Sequence, residues 1–158
     1  MTIPQSSRLD LGARFTLEAW VYPAALGKVW RAVLFKEDSS NATSGQAYAL
    51  YATTKTGAPL AMAFTSKEGR AFGTRPLPLR RWSHLAATYD GTTLRLYVNG
   101  TLASSRAVSG AMPSSTGPLR IGGNSVWGEY FTGLIDEVRV YNRALSAAEV
   151  QADMNSAV

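Results

Sequence analysis

From Arg81 to Val108 the chain reads RWSHLAATYD, GT, TLRLYV, NG, TLASSRAV. In the middle piece Leu94, Leu96 and Val98 fall on one face and Arg95 and Tyr97 on the other, the period of two that a half-buried strand requires. Asp90-Gly91 and Asn99-Gly100 are hairpin signals, because these residue types tolerate the positive φ that tight turns impose. Three strands joined by two short turns make an antiparallel meander, and the rest of the chain has to pack against it.

The same signature recurs on both sides. FTLEAWVY, Phe15 to Tyr22, places Phe15, Leu17, Ala19 and Val21 on one face and Thr16, Glu18, Trp20 and Tyr22 on the other. Two aromatics on the more polar face imply that this face is covered too, and Pro23 is expected to end the strand by removing a ladder donor. Further strands are expected at Ala32 to Lys36, Gln46 to Thr53, Leu60 to Thr65, in PLRIGG and at Phe131 to Tyr141. Residues 24 to 31, Glu37 to Gly45, Ser66 to Pro78, Ser109 to Pro118 and Asn124 to Tyr130 read as loops. In the closing strand Asp136 falls on the face otherwise held by Leu134, Val138 and Val140. Either a bulge shifts the register there, or a carboxylate points where it needs a partner. Ser146-Ala147-Ala148-Glu149 is a capping box that starts one short C-terminal helix. The expected fold is all-β, two antiparallel sheets in a sandwich with that single helix.

Composition narrows the function classes. Charged residues make up 17% of the 158, below the roughly 25% of an ordinary globular chain, which suits an ordered, sheet-rich domain. No apolar run approaches the roughly 20 residues that span a bilayer, so no membrane insertion is expected. Met1 to Asp10 lacks the apolar core of a signal peptide, and the chain reads as one domain, residues 1–158, cut from a longer protein. Cysteine is absent, which removes disulfides and thiolate chemistry. The net charge of +5 is moderate, with Lys67, Arg70, Arg75, Arg80 and Arg81 clustered. This cluster reads first as a solvated basic edge and second as a patch for acidic glycans; without a nucleic-acid motif, nucleic acid is not an expected partner. Asn41-Ala42-Thr43 fits a glycosylation acceptor, a pattern with meaning only in a eukaryotic secretory pathway.

FTLEAWVYP, RWSHLAATYDGTTLRLYVNG, PLRIGGN and FTGLIDEVRVYNRALSAAEV, taken in this order, resemble the laminin-G-like jelly-roll domains of the concanavalin A-like lectin/glucanase superfamily. The resemblance runs from about Leu9 to Met154. It implies a sandwich of two curved antiparallel sheets, an extracellular or cell-surface setting, and a structural Ca²⁺ held in part by the Asp of the final strand, here Asp136. The alternative for Asp136 is that it accepts backbone amides or pairs with Arg139 or Arg143. Such domains usually begin with a further strand ahead of Ile3. Its reduction to Met1 to Pro4 leaves an edge that a protein partner or a second copy could fill by strand addition.

Catalysis finds little material. Glycoside hydrolysis needs two carboxylates across the scissile bond, whereas Asp136 and Glu137 are adjacent and so face opposite sides of a strand, and Glu37-Asp38 sits in a loop. The single His84 reads as a satisfied structural residue. The chain is therefore not expected to be an enzyme. The expected function is a non-catalytic, lectin-like module for a polysaccharide or glycan. Sugars offer apolar faces to aromatics and hydroxyls to planar polar groups. Trp30, Trp127 and Tyr130 stand in loops and are candidates for that purpose, with Lys36, Tyr48 and Tyr51 near them; the alternative, which the family resemblance implies, is that Trp127 and Tyr130 close the end of the sandwich. The alternative is an adhesion or self-assembly module acting through the basic edge or an open edge strand, without a sugar.

Overall fold

The computed structural model describes residues 1–38 and 45–156. The glycosylation pattern at Asn41 lies outside them. Eleven strands are described: β1 (Thr2–Ile3), β2 (Phe15–Ala25), β3 (Arg31–Glu37), β4 (Gln46–Thr53), β5 (Leu60–Phe64), β6 (Glu68–Phe72), β7 (Ser83–Tyr89), β8 (Thr93–Val98), β9 (Thr101–Ala107), β10 (Leu119–Ile121) and β11 (Thr132–Tyr141). One helix, α1 (Ala147–Asn155), follows. The strands form two antiparallel sheets, one ordered β1-β10-β3-β4-β5-β6 and the other β11-β2-β7-β8-β9. The expected all-β sandwich is what the chain builds.

The two sheets bury one shared core. Phe15 of β2 sits 5.6 Å, centroid to centroid, from both Tyr48 of β4 and Tyr89 of β7. Leu17, Val33, Leu34, Leu50, Leu85, Leu94 and Leu96 pack around these rings. Each tyrosine hydroxyl donates to a carbonyl, Tyr48 to Leu9 and Tyr89 to Gly110, so neither leaves an unpaired polar group inside.

The meander is as expected. Asn99 and Gly100 adopt φ of 49° and 71° between β8 and β9. Asp90 closes the other turn by accepting from the amides of Thr92 and Thr93 and from Arg95 at 2.6 Å. At the C-terminus, Ser146 caps α1 and Glu149 returns the bond, completing the capping box.

Two expectations need correction, and one open alternative is decided. Pro23 does not end β2, which runs on to Ala25. The last β2–β7 pair is Val21 with Ser83, so beyond it one flank of the strand has no ladder to lose. Glu68–Phe72, read as loop, is strand β6. Its inward residues are only Gly69 and Ala71, too small to give an apolar alternation, and a side chain at Gly69 would collide with Val108. At Asp136 the bulge is the alternative realised: the β11–β2 register slips between Asp136 and Arg139, and Glu137 takes φ 49°.

The outer face of the β11-β2-β7-β8-β9 sheet is roofed in part by α1, whose Val150 joins Leu145, Ala86, Tyr97 and Tyr141. Beneath this roof lie Glu18 and His84, both buried and neither with a hydrogen-bond partner on its ionisable atoms. His84 was expected to be a satisfied structural residue; its backbone is bonded to Asn99, but its ring nitrogens have no partner and the ring lies against Trp20 at 5.3 Å. Burial, reinforced by the Asp153 carboxylate and opposed by Arg139, pushes the Glu18 carboxyl from 4.5 to about 8. Burial, with Arg139 adding to it and Asp153 opposing, pulls His84 from 6.5 down to about 4.

The two shifts act with opposite sign over overlapping pH windows. Between about 4.5 and about 8 folded Glu18 holds a proton that the unfolded chain has released, so stability falls as pH rises. Between 6.5 and about 4 unfolded His84 takes up a proton that the folded chain refuses, so stability falls as pH drops. Thermal melts from pH 4 to 9 should show a plateau near pH 5–6 and a decline above pH 6.5. Glu18→Gln should remove that decline and raise the melting temperature at pH 8, an effect on the order of a few kcal/mol. A wild-type curve that rises between pH 6.5 and 8 would contradict this.

Candidate functional site

On the outer face of the other sheet, residues one position out of phase with the core turn away from it. In β4, Tyr48 and Leu50 point inward, so Ala49 and Tyr51 point outward. In β3 the register slips around Val33, so that Val33 and Leu34 both enter the core while Ala32 and Phe35 turn out. With Leu60 and Met62 of β5 they make a second apolar cluster, against which Trp30 packs. Trp30 meets Tyr51 edge-on, centroids 5.1 Å apart at 72°.

This cluster is the floor of a groove. Its walls come from Trp30 just before β3, from Glu68 and Arg70 on β6, and from Trp127 and Glu129 in the loop after β10; Gln46, Tyr51 and Met62 lie between them. The groove is open to solvent and has a volume of about 200 Å³. Trp127 is 56% exposed, so more than half of its side chain is reached by solvent.

Several contacts fix the aromatic loop in place. Asn124, itself buried, accepts from the Trp127 amide at 2.7 Å and donates to Glu129 Oε2 at 2.9 Å. The same oxygen accepts the Tyr51 hydroxyl at 3.0 Å. Burial first, and then the Glu129 charge, push the Tyr51 phenol far above its usual value, so it remains a donor. The base of the loop is held by Glu37, whose Oε1 accepts from the Ser125 amide, the Ser125 hydroxyl and Arg120. Burial works to raise the Glu37 pKa, but these bonds outweigh it and keep the carboxylate below its usual range. Arg31 ties Leu26 to Tyr130 and Thr132, joining the Trp30 loop to the Trp127 loop. Glu68 and Arg70 pair across the groove's other side at 2.9 Å.

Of the residues nominated from the sequence, Trp30 and Trp127 come together in this groove. Tyr130 is 60% exposed but lines a neighbouring hollow with Met1, Arg120 and Asn124. Lys36 and Tyr48 are corrections, because both point into the sandwich. Lys36 is fully buried, and its ammonium donates to Gln5 Oε1 at 2.6 Å, to Ser115 and to the Gly117 carbonyl. Burial lowers its pKa, with Asp10, Asp38 and Glu37 opposing. Tyr51, three residues from Tyr48 and therefore on the opposite face, is the tyrosine of the groove. Glu68, Gln46 and Glu129 were not nominated, and Arg70 was named only within the basic cluster. Glu68 and Arg70 sat in the segment read as loop, and only the fold brings that segment beside Trp127.

Asp136 lies on the other sheet, exposed, with Oδ1 accepting the Glu137 amide at 2.9 Å. The neighbouring Glu137 carboxylate is turned to Arg139 at 3.1 Å. Calcium takes six to eight oxygens, yet among the described residues no three Asp, Glu, His or Cys side chains gather as ligands.

Residues 1–151 match the laminin-G-type family model of the concanavalin A-like lectin/glucanases superfamily. The chain belongs to this superfamily. Over 80 residues, 48% of the chain, it is 32% identical to pappalysin-1 of Mus musculus, and this match spans only 5% of that protein's length. Among solved structures of this superfamily's fold, it is similar to domain 4 of an extracellular arabinanase from Geobacillus stearothermophilus, in complex with arabinotriose. The TM-score is 0.75 at 21% identity, covering 98% of this chain and 71% of that one. It is also similar to the CBM40 module of a Ruminococcus gnavus sialidase bound to α2,3-sialyllactose. There the TM-score is 0.78 at 14% identity, covering 94% and 86%. No described helix of this superfamily member is long and apolar enough to cross a membrane.

Lys36→Met separates scaffold from groove. The variant strands acceptors at Gln5, Ser115 and Gly117, which should cost roughly 1–3 kcal/mol of stability by urea denaturation. Ligand affinity of the folded fraction should be unchanged. A selective loss of affinity at unchanged stability would return Lys36 to the site.

Proposed function

We propose that the chain is a non-catalytic carbohydrate-binding module of an extracellular protein, with the Trp30–Trp127 groove as its site. The observation that carries this reading is the pairing of an exposed indole with fixed planar polar groups on a preformed apolar floor. A sugar ring can lay its C–H face on Trp127 and direct its hydroxyls to Glu129, Gln46 and the Glu68–Arg70 pair. Hydrogen bonds from Tyr51 and Asn124 already hold Glu129, so little ordering is left for binding to do. The arabinanase domain and the sialidase module, each named with a sugar, support this reading.

The groove holds two carboxylates, which raises hydrolysis as a second reading. A retaining or inverting enzyme needs one of its pair as a proton donor. Glu68 is engaged with Arg70, and Glu129 accepts from two donors; neither is arranged to give a proton away. Binding without turnover is the reading we adopt.

Affinity electrophoresis through gels containing neutral and acidic plant and bacterial polysaccharides tests it. At least one polymer should retard the wild type without shedding reducing ends. Trp127→Ala should weaken retention about tenfold, close to 1.4 kcal/mol, while a cooperative thermal melt shows that the fold is kept. Retention by no polymer, or equal retention of Trp127→Ala, would remove the reading.

A further inference from the structure

We infer that the groove is selective for uncharged sugars, taken one ring at a time, and rejects acidic ones. This inference rests on the carbohydrate reading above and deepens it.

Three charged side chains line the groove: Glu68, Glu129 and Arg70. The undescribed residues 39–44, Ser-Ser-Asn-Ala-Thr-Ser, carry no charge and cannot alter the balance, which is one negative charge in excess. The single cation is already committed, because Arg70 NH2 lies 3.0 Å from Glu68 Oε1 and 2.9 Å from Oε2. Arg70 has further N–H donors, but an acid that reached them would meet a charge already neutralised by Glu68. It would also approach the Glu129 carboxylate, which lines the groove and already accepts from Tyr51 and Asn124 at Oε2. A carboxylate oxygen accepts and does not donate, so this position suits a sugar hydroxyl and repels an acid. Beside Glu129, a like charge meets both repulsion and desolvation.

The remaining positive charge of the molecule is elsewhere. Among the residues of the basic cluster, only Arg70 enters the groove. Lys67 lines a separate hollow between β6 and β9, and Arg75 another beside Leu77 and Leu102. The net charge of +5 therefore gives no attraction for acid at the groove floor. Size supplies the second half of the selectivity. A volume of about 200 Å³ is below the roughly 300–1,000 Å³ of sites that enclose a drug-sized ligand, so the groove seats one ring, with the rest of a chain outside.

The test is a glycan array, followed by calorimetry, with the full chain. Arabinotriose, lactose and neutral xylo- and gluco-oligosaccharides serve as neutral probes, and α2,3-sialyllactose and glucuronate-bearing oligosaccharides as acidic ones. We expect a neutral oligosaccharide to bind, its acid-bearing counterpart to bind at least about tenfold more weakly, and the monosaccharide of the seated ring to compete. Glu68→Gln keeps the side-chain volume and frees Arg70, and it should narrow the gap between neutral and acidic ligands severalfold. An acidic ligand bound as tightly as its neutral counterpart and lost in Trp127→Ala would overturn the selectivity while leaving the carbohydrate reading intact. An unchanged gap in Glu68→Gln would overturn it as well. Binding of neither class would instead remove the carbohydrate reading itself.

Discussion

Phe15 wedged between Tyr48 and Tyr89 joins the two sheets, and the rest of the structure is arranged by that contact. Once Tyr48 is committed to the interior, the strict two-residue period of β4 decides every other position on the strand. Ala49 and Tyr51 must face outward, where Tyr51 becomes both the floor of the groove and the donor that orients Glu129. The core and the site are thus two faces of one strand, and a slip of one residue in register would exchange them.

The groove depends equally on loops that are rigid for reasons of chemistry. The segment from Asn124 to Tyr130 contains no regular structure, yet Glu37 grips Ser125, Asn124 holds both the Trp127 amide and Glu129, and Gly123 lies so close to the Tyr130 ring that no side chain would fit there. Arg31 ties this segment to the Trp30 loop across 99 residues of sequence. A sandwich that fixes its loops in this way can present exposed indoles without losing them to disorder, which is why binding groups collect at such positions. The opposite sheet follows a different logic. There α1 roofs Glu18 and His84, and the burial of ionisable groups makes stability depend on pH and contributes nothing visible to a ligand site.

Much of this was legible in the sequence. The meander with its Asp90-Gly91 and Asn99-Gly100 turns, the Ser146–Glu149 capping box and the bulge at Asp136 follow from local chemistry, which acts over a few residues. Trp30 and Trp127 were visible as aromatics outside any alternation. Lys36 and Tyr48 misled because a lysine and a tyrosine beside a loop look like surface groups. Only the interior partners at Gln5, Ser115, Gly117 and Leu9 show why they are buried, and those partners lie far off in sequence. The β6 strand was missed because Gly69 and Ala71, its inward residues, are small to suit Val108 and the crowded core. With β6 went Glu68 and Arg70, and so the charge character of the groove.

The central claim is that a sugar lies on the outer face of the β1-β10-β3-β4-β5-β6 sheet, between Trp30 and Trp127. The chain has four tryptophans, and the other two, Trp20 and Trp82, stand on the opposite sheet in contact with His84 and Tyr22. A ¹⁵N–¹H correlation spectrum followed through a titration with a retained neutral oligosaccharide reads all four indole N–H groups at once. Shifts confined to Trp30 and Trp127, with Trp20 and Trp82 unmoved, are the predicted result; shifts at Trp20 or Trp82 with Trp30 and Trp127 still would place the ligand on the wrong face and contradict the account.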